Sequence, residues 1–281
     1  MKFYSETMTL NEGETPFLTY KKLDELSFIN HAFSTRLGGV SEGEFTSMNL
    51  SFGRGDSDEN VIENYKRLCK AAGFEYESLT ASKQVHETVV RKVTARNRGV
   101  GIYKPIDMPS VDALITNDSE VTLVTYYADC TPVFFVDSNK KAVGLAHAGW
   151  RGTVGEISAK VVEKMTEEFG TNPKDLICAI GPVIGKCCYE VSSDCADEFA
   201  KLFGKDTPVI SKTDKPDKFM IDLAFANKLI LIKAGVKEEN IVISDLCTKC
   251  QSDLLWSHRA TAGKRGTMAA FMQIKYQVPL A

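Results

Sequence analysis

Apolar positions along the chain fall into two kinds of stretch. In the first kind they sit between helix start and stop signals. Glu59 to Ala72 ends at Gly73, Val154 to Phe169 ends at Gly170, and Leu223 to Ala234 follows Asp222 and ends at Gly235. A side-chain oxygen such as that of Asp222 can accept from the first free N–H groups of a helix, and glycine readily takes the left-handed conformation that closes one. A fourth helix is expected from about Asp194 to Phe203, with Ser192 or Ser193 as its cap and Gly204 at its end.

The second kind is short, apolar and rich in β-branched and aromatic residues: Val121 to Tyr127, Val133 to Val136, Ala142 to Ala146, Leu176 to Ile180, Ile241 to Ser244 and Met268 to Ile274. Several are apolar throughout, which suits strands covered on both faces. The expected fold class is therefore α+β (layered α/β), a mixed β-sheet core covered by helices. No repeat, low-complexity tract or Pro/Gly/Ser-rich linker divides the 281 residues, so a single domain over 1–281 is expected.

Composition narrows the function classes. The 43% hydrophobic and 25% charged residues match soluble globular proteins. With 34 basic and 37 acidic residues interspersed, no overall field favours a polyanion, so nucleic acid is not the expected partner. Met1 to Pro16 has no apolar run behind a basic start, and stretches such as Val121 to Ala128 and Leu229 to Ile232 are far shorter than the roughly 20 residues that span a bilayer. A cytoplasmic protein without membrane contact is expected, and its eight cysteines read as reduced thiols.

Two of the four histidines, His86 and His147, are placed at expected strand ends. Cys130 falls between them, after an apolar strand whose continuation Pro132 breaks. Two imidazoles and a thiolate can hold a catalytic zinc ion with its fourth position open, and such an ion lowers the pKa of a coordinated water to about 7. The spacing is no compact zinc motif, since Cys130 is 44 residues beyond His86 and 17 before His147. On spacing alone a buried cysteine and two hydrogen-bonded histidines explain the pattern better than a metal site does.

Seven blocks decide between these readings: residues 33–41 (FSTRLGGVS), 45–50 (FTSMNL), 84–86 (QVH), 112–116 (DALIT), 128–132 (ADCTP), 147–152 (HAGWRG) and 180–182 (IGP). In this order the chain resembles the YfiH-like, or laccase-domain (multicopper polyphenol oxidase), family over nearly its whole length. That resemblance implies purine nucleoside phosphorylase activity with a zinc ion held by His86, Cys130 and His147. Adenosine, inosine, guanosine and methylthioadenosine are the implied nucleosides, inorganic phosphate the co-substrate, and adenosine deamination a second activity. Glu87 departs from the glycine that commonly follows the first ligand in the family.

Arg36, Asn49, Gln84 and Arg151 belong to the same blocks and are the candidate substrate-binding residues, the arginines for phosphate and the amides for the nucleoside. Asp129 is a candidate orienter or general acid/base beside Cys130. Trp150 is expected in the core, His31 is expected to be structural, and Cys247 and Cys250 are read, with Cys187 and Cys188, as packed thiols, because adjacent cysteines rarely converge on one tetrahedral ion. The competing readings are a metal-free cysteine hydrolase using Cys130 and His147, and a copper oxidase of phenols. Four histidines are too few for the several coppers the latter needs.

Overall fold

The computed structural model describes residues 3–275. Side-chain alternation along its strands sets the layers. In Met268–Ile274, Met268, Ala270 and Met272 enter one core while Ala269 and Phe271 enter another. In Thr131–Asp137, Phe134 and Val136 share the first of these cores, and Val133 and Phe135 face a third. Two sheets thus pack face to face through a common core, and each buries its outer face against helices.

The first sheet runs Met8–Asn11, Phe17–Tyr20, Ile29–Ser34, Met268–Ile274, Thr122–Tyr127 and Leu79–Ala81, with only the last pair parallel. The second runs Ile241–Ile243, Ile177–Ile180, Thr131–Asp137, Ala142–Ala148, Ala113–Thr116 and Val90–Lys92, with the two outermost pairs parallel. Glu190–Ser192, Lys218–Ile221 and Ile210–Lys212 form a small antiparallel sheet of their own. Helix Asp58–Ala72 covers the first sheet through Val61, Tyr65 and Leu68. Ile157–Phe169 and Leu223–Lys233 cover the second, and Ser193–Phe203 packs on the small sheet and joins the same core. This is the expected α+β class, built as four layers.

Of the expected end signals Asp222 and the glycines act, whereas Ser192 stands at the start of its helix without bonding a helix N–H; Ser57 caps helix Asp58–Ala72 in addition. The Ser57 hydroxyl accepts from the Asn60 N–H at 3.1 Å, and the Asp222 carboxylate from the Phe225 N–H at 2.9 Å. Gly73 and Gly235 take φ of 73° and 95° past the helix ends.

Three local expectations change. The helix expected over Val154 to Phe169 is two helices, Trp150–Val154 and Ile157–Phe169, separated at Glu156 with φ 57°. The break falls where the chain passes against the His86 loop: a Cβ on Gly155 would lie 2.6 Å from Thr88 Cγ2. His86 is not at a strand end but in the loop between Leu79–Ala81 and Val90–Lys92. Pro132 does not break a strand either. It pairs with His147, whose N–H reaches Asp112 O at 2.8 Å instead, so the ladder loses no bond to His147 through the missing proline donor.

Candidate metal and substrate site

Cys130 stands just before the strand Thr131–Asp137, and His147 near the end of its antiparallel neighbour Ala142–Ala148. The two strands therefore bring the thiol and one imidazole together. His86 arrives from the other side on its loop. Its own φ is 65°, and that of Asp129, next to Cys130, is 83°, a left-handed conformation that costs non-glycine residues free energy and recurs at functional sites. Glu87 is not in that conformation, so a glycine is not required there.

One donor atom each from His86, Cys130 and His147 lies within 4.8 Å of the others, and Cys130 Sγ is 3.9 Å from His86 Nε2. Tetrahedral zinc, with Zn–S near 2.3 Å and Zn–N near 2.0 Å, requires an S···N edge of about 3.6 Å, so the three donors can close on one ion with a small shift. A fourth protein donor does not join them among the described residues, which leaves a coordination position for solvent or substrate.

Asp112 organises this set, although its sequence block suggested no role for it. Its carboxylate is wholly buried at the start of Ala113–Thr116 and lies 2.9 Å from His147 Nδ1. It also accepts the N–H groups of Val85, His86 and Glu87 at 3.2, 3.0 and 3.0 Å. One carboxylate thus fixes the His147 ring, with Nε2 turned to the site, and the backbone that presents His86. Burial opposes its charge, but the His147 contact and these N–H groups outweigh burial and hold its pKa below the usual carboxylate value. Burial likewise opposes a Cys130 thiolate, yet His147 and then His86 draw that pKa down to about 6. Burial disfavours a charged His147, yet Cys130 and Asp112 raise it to about 9. The site thus favours a ligand-ready thiolate at neutral pH.

Two clefts of about 290 Å³ each meet at His86 and Cys130. The first includes Phe52, Gln84, Tyr126 and His147 with the cationic Arg54 and Arg265. The second includes Asp129, Trp150, Arg151, Ile184 and Tyr189. Trp150, expected in the core, is half-buried against the second cleft, and its ring carries the Arg151 guanidinium at 4.2 Å. Gly149 permits this approach: a Cβ there would lie 2.8 Å from His86 Cδ2 and 3.3 Å from Cys130 Sγ.

The remaining candidates fare differently. Gln84 lines the first cleft, but both ends of its amide bond Tyr126 backbone, at 2.6 and 2.9 Å, so it shapes the wall rather than reaching a ligand. Arg36 does not line either cleft. It donates to Ser252 O and Thr46 O and stacks at 3.9 Å on Trp256, which makes it a strut between distant segments. Asn49 is wholly buried and fully engaged with Ser51, Asp56 and Thr267. Neither residue is placed to bind substrate. Asp129 touches the second cleft, but one oxygen accepts the Thr248 hydroxyl at 2.6 Å and the other the Arg259 N–H at 2.7 Å. Those bonds make it an anchor for the C-terminal loops rather than an unengaged acid or base. Arg54 and Arg265 were missed because neither sits in a quoted block; their signal is spatial.

Comparison with known proteins agrees with the geometry. A family model described as multi-copper polyphenol oxidoreductase laccase matches residues 30–275. Purine nucleoside phosphorylase YlmD of Geobacillus stearothermophilus is 38% identical over 240 residues, 85% of this chain and 88% of the relative. Its Bacillus subtilis namesake is 36% identical over 86% of this chain and 87% of its own. Among solved structures, YlmD from Geobacillus stearothermophilus superposes with a TM-score of 0.89 at 33% identity, covering 97% of this chain and all of that one. The Bacillus licheniformis hypothetical protein YfiH gives 0.89 at 31%, covering 95% and 99%. The chain therefore belongs to the YfiH-like family described as multi-copper polyphenol oxidoreductase laccase.

Proposed function

We propose that the protein is a zinc-dependent purine nucleoside phosphorylase that acts on adenosine, inosine, guanosine and methylthioadenosine and also deaminates adenosine. The observation that carries this reading is the meeting of two clefts at His86 and Cys130, so that two reactants can reach one centre from different sides. The curated relatives named purine nucleoside phosphorylase support the reaction class. The His, Cys, His donor set suits zinc, and four histidines in the chain remain too few for a multicopper centre.

When bound, the ion supplies a Lewis acid between the clefts. The rest falls to the chain. Asp112 orients the His147 ring, whose Nε2 proton would leave on metal binding, and the Cys130 thiolate, kept by His147 and His86, supplies a ligand at neutral pH. In the first cleft Phe52 and Tyr126 offer faces to the nucleoside, while Arg54 and Arg265 offer N–H donors that match purine acceptor atoms. In the second, Arg151 makes no ion pair among the described residues, and its guanidinium can grip phosphate with two parallel N–H groups. The five-residue helix Trp150–Val154 that carries it sums few peptide dipoles, so the side chain, not the helix, is the main anion donor.

A nucleoside panel incubated with metal-analysed protein, with and without phosphate, tests the reading. Free base should appear only with phosphate, while adenosine loses ammonia in either case. Base release independent of phosphate and zinc would favour the cysteine hydrolase, which the same Cys130–His147 pair would support.

A further inference from the structure

The sequence reading treats Cys187, Cys188, Cys247 and Cys250 as packed thiols, but the fold gathers all four at one place. Cys187 and Cys188 lie in the turn after the strand Ile177–Ile180, and Cys247 and Cys250 follow its parallel neighbour Ile241–Ile243. Pairing continues past both strands through the bridge Val183 to Cys247 and the bond from Thr248 N–H to Val183 O, which sets the two loops side by side. The four sulfurs lie within 4.8 Å of one another. Cys188 and Cys250 are 3.5 Å apart, Cys187 and Cys250 3.6 Å, and Cys187 and Cys188 3.7 Å.

These separations fit one chemistry. A Zn–S distance near 2.3 Å gives a tetrahedron with edges of about 3.8 Å. A disulfide needs about 2.05 Å. Core packing does not account for the whole set either: Cys188 and Cys247 are half-buried against the core, but Cys187 and Cys250 are exposed. Gly185 donates its N–H to Cys247 Sγ at 3.1 Å, the kind of bond that stabilises a thiolate, and its missing side chain makes room: a Cβ there would stand 3.2 Å from Cys187 Sγ and 3.1 Å from Cys247 Cβ. Four thiolates on a divalent ion leave two negative charges, which the half-exposed position of the cluster leaves open to solvent.

We infer that Cys187, Cys188, Cys247 and Cys250 form a second, structural zinc site, separate from the His86, Cys130, His147 centre. Binding releases the thiol protons to solvent and clamps the two loops. Those loops wall the second cleft: residues 184 and 189 line it, and Thr248, between two of the ligands, holds Asp129 beside Cys130. The closed set of four protein ligands leaves no position for substrate, so its part is architectural.

Metal analysis of purified full-length protein tests this. Cys250→Ser and Cys187→Ser should each lose about one zinc per chain relative to the parent, and do so equally in a His147→Ala background, where the other centre is already impaired. That background separates failure of this site from failure of the catalytic one. A native-chain measurement covers the case in which a variant fails to fold: cobalt reconstitution should produce the intense sulfur-to-metal absorption of a four-thiolate site, which persists in His86→Ala. Unchanged zinc in both cysteine variants, another metal at the site, or a disulfide among these residues in peptides mapped without reduction would overturn the assignment.

Discussion

Asp112 and His147 form a buried pair in which one carboxylate oxygen lies 2.9 Å from the imidazole Nδ1, and the same carboxylate receives the backbone of the His86 loop. Two of the three candidate ligands therefore depend on a residue that is not one of them. Asp112→Asn should keep the fold but put an amide N–H where N–H donors now point. Metal affinity should fall about 10–100-fold, the usual effect of losing such support. Competition with a chromogenic chelator measures it, and unchanged affinity would mean that the pair is only a packing contact.

Removal of the ligands themselves should be more severe. His86→Ala, Cys130→Ala and His147→Ala should each reduce metal occupancy at this centre and lower phosphorolysis by more than about 100-fold, beyond the effect of an outer-shell change, while the circular dichroism spectrum is retained. Full activity in rigorously metal-free protein would point to Cys130 as a nucleophile.

Gly149 offers a steric test. Its φ of −66° and ψ of 172° suit any residue, so alanine brings no backbone strain. Its methyl group would nevertheless stand 2.8 Å from His86 Cδ2 and 3.3 Å from Cys130 Sγ. Gly149→Ala should thus displace the ligands, with a cost of about 1–3 kcal/mol from overpacking, and weaken metal binding while the protein still folds. Metal titration beside a denaturant melt separates the two effects.

For Arg151, lysine keeps the charge but loses the planar fork. Arg151→Lys should raise KM for phosphate about tenfold or more, one hydrogen bond of a charged pair being involved, and leave deamination nearly unchanged. Should Arg265→Lys produce that phosphate effect instead, the anion belongs in the first cleft.

His31 supplies a pH prediction. Its Nε2 accepts the Tyr20 N–H at 2.8 Å, so the ring is neutral, and burial depresses its pKa from 6.5 to about 3. The contact with Asp24 at 3.9 Å is accordingly no ion pair. Below about pH 6.5 the unfolded chain binds a proton that the folded chain refuses, so stability present above that pH is lost as pH falls towards 3, at about 1.4 kcal/mol per unit. His31→Gln, which can still accept the N–H but does not titrate, should flatten that slope in denaturant melts between pH 7 and 5. An identical slope in both proteins would place the acid sensitivity elsewhere.

Sequence by itself located most of the regular elements and the three candidate ligands. The Met268–Ile274 strand is found over the residues its composition indicates, and Asp222, Gly73 and Gly235 stand at helix ends, because strand preference and capping are local properties of a few neighbouring residues. His86, Cys130 and His147 were legible through their motif blocks, not through their spacing. Tertiary structure alone decided which residues meet. Asp112 reaches His147 across 35 positions, and Cys187 reaches Cys250 across 63, because strand pairing brings their loops together. Arg36 and Asn49 lie in the family's blocks yet serve the scaffold, since a block records neighbours along the chain and not the direction of a side chain. The left-handed turns at His86 and Asp129 were equally invisible: surrounding contacts impose those conformations on residues that do not prefer them.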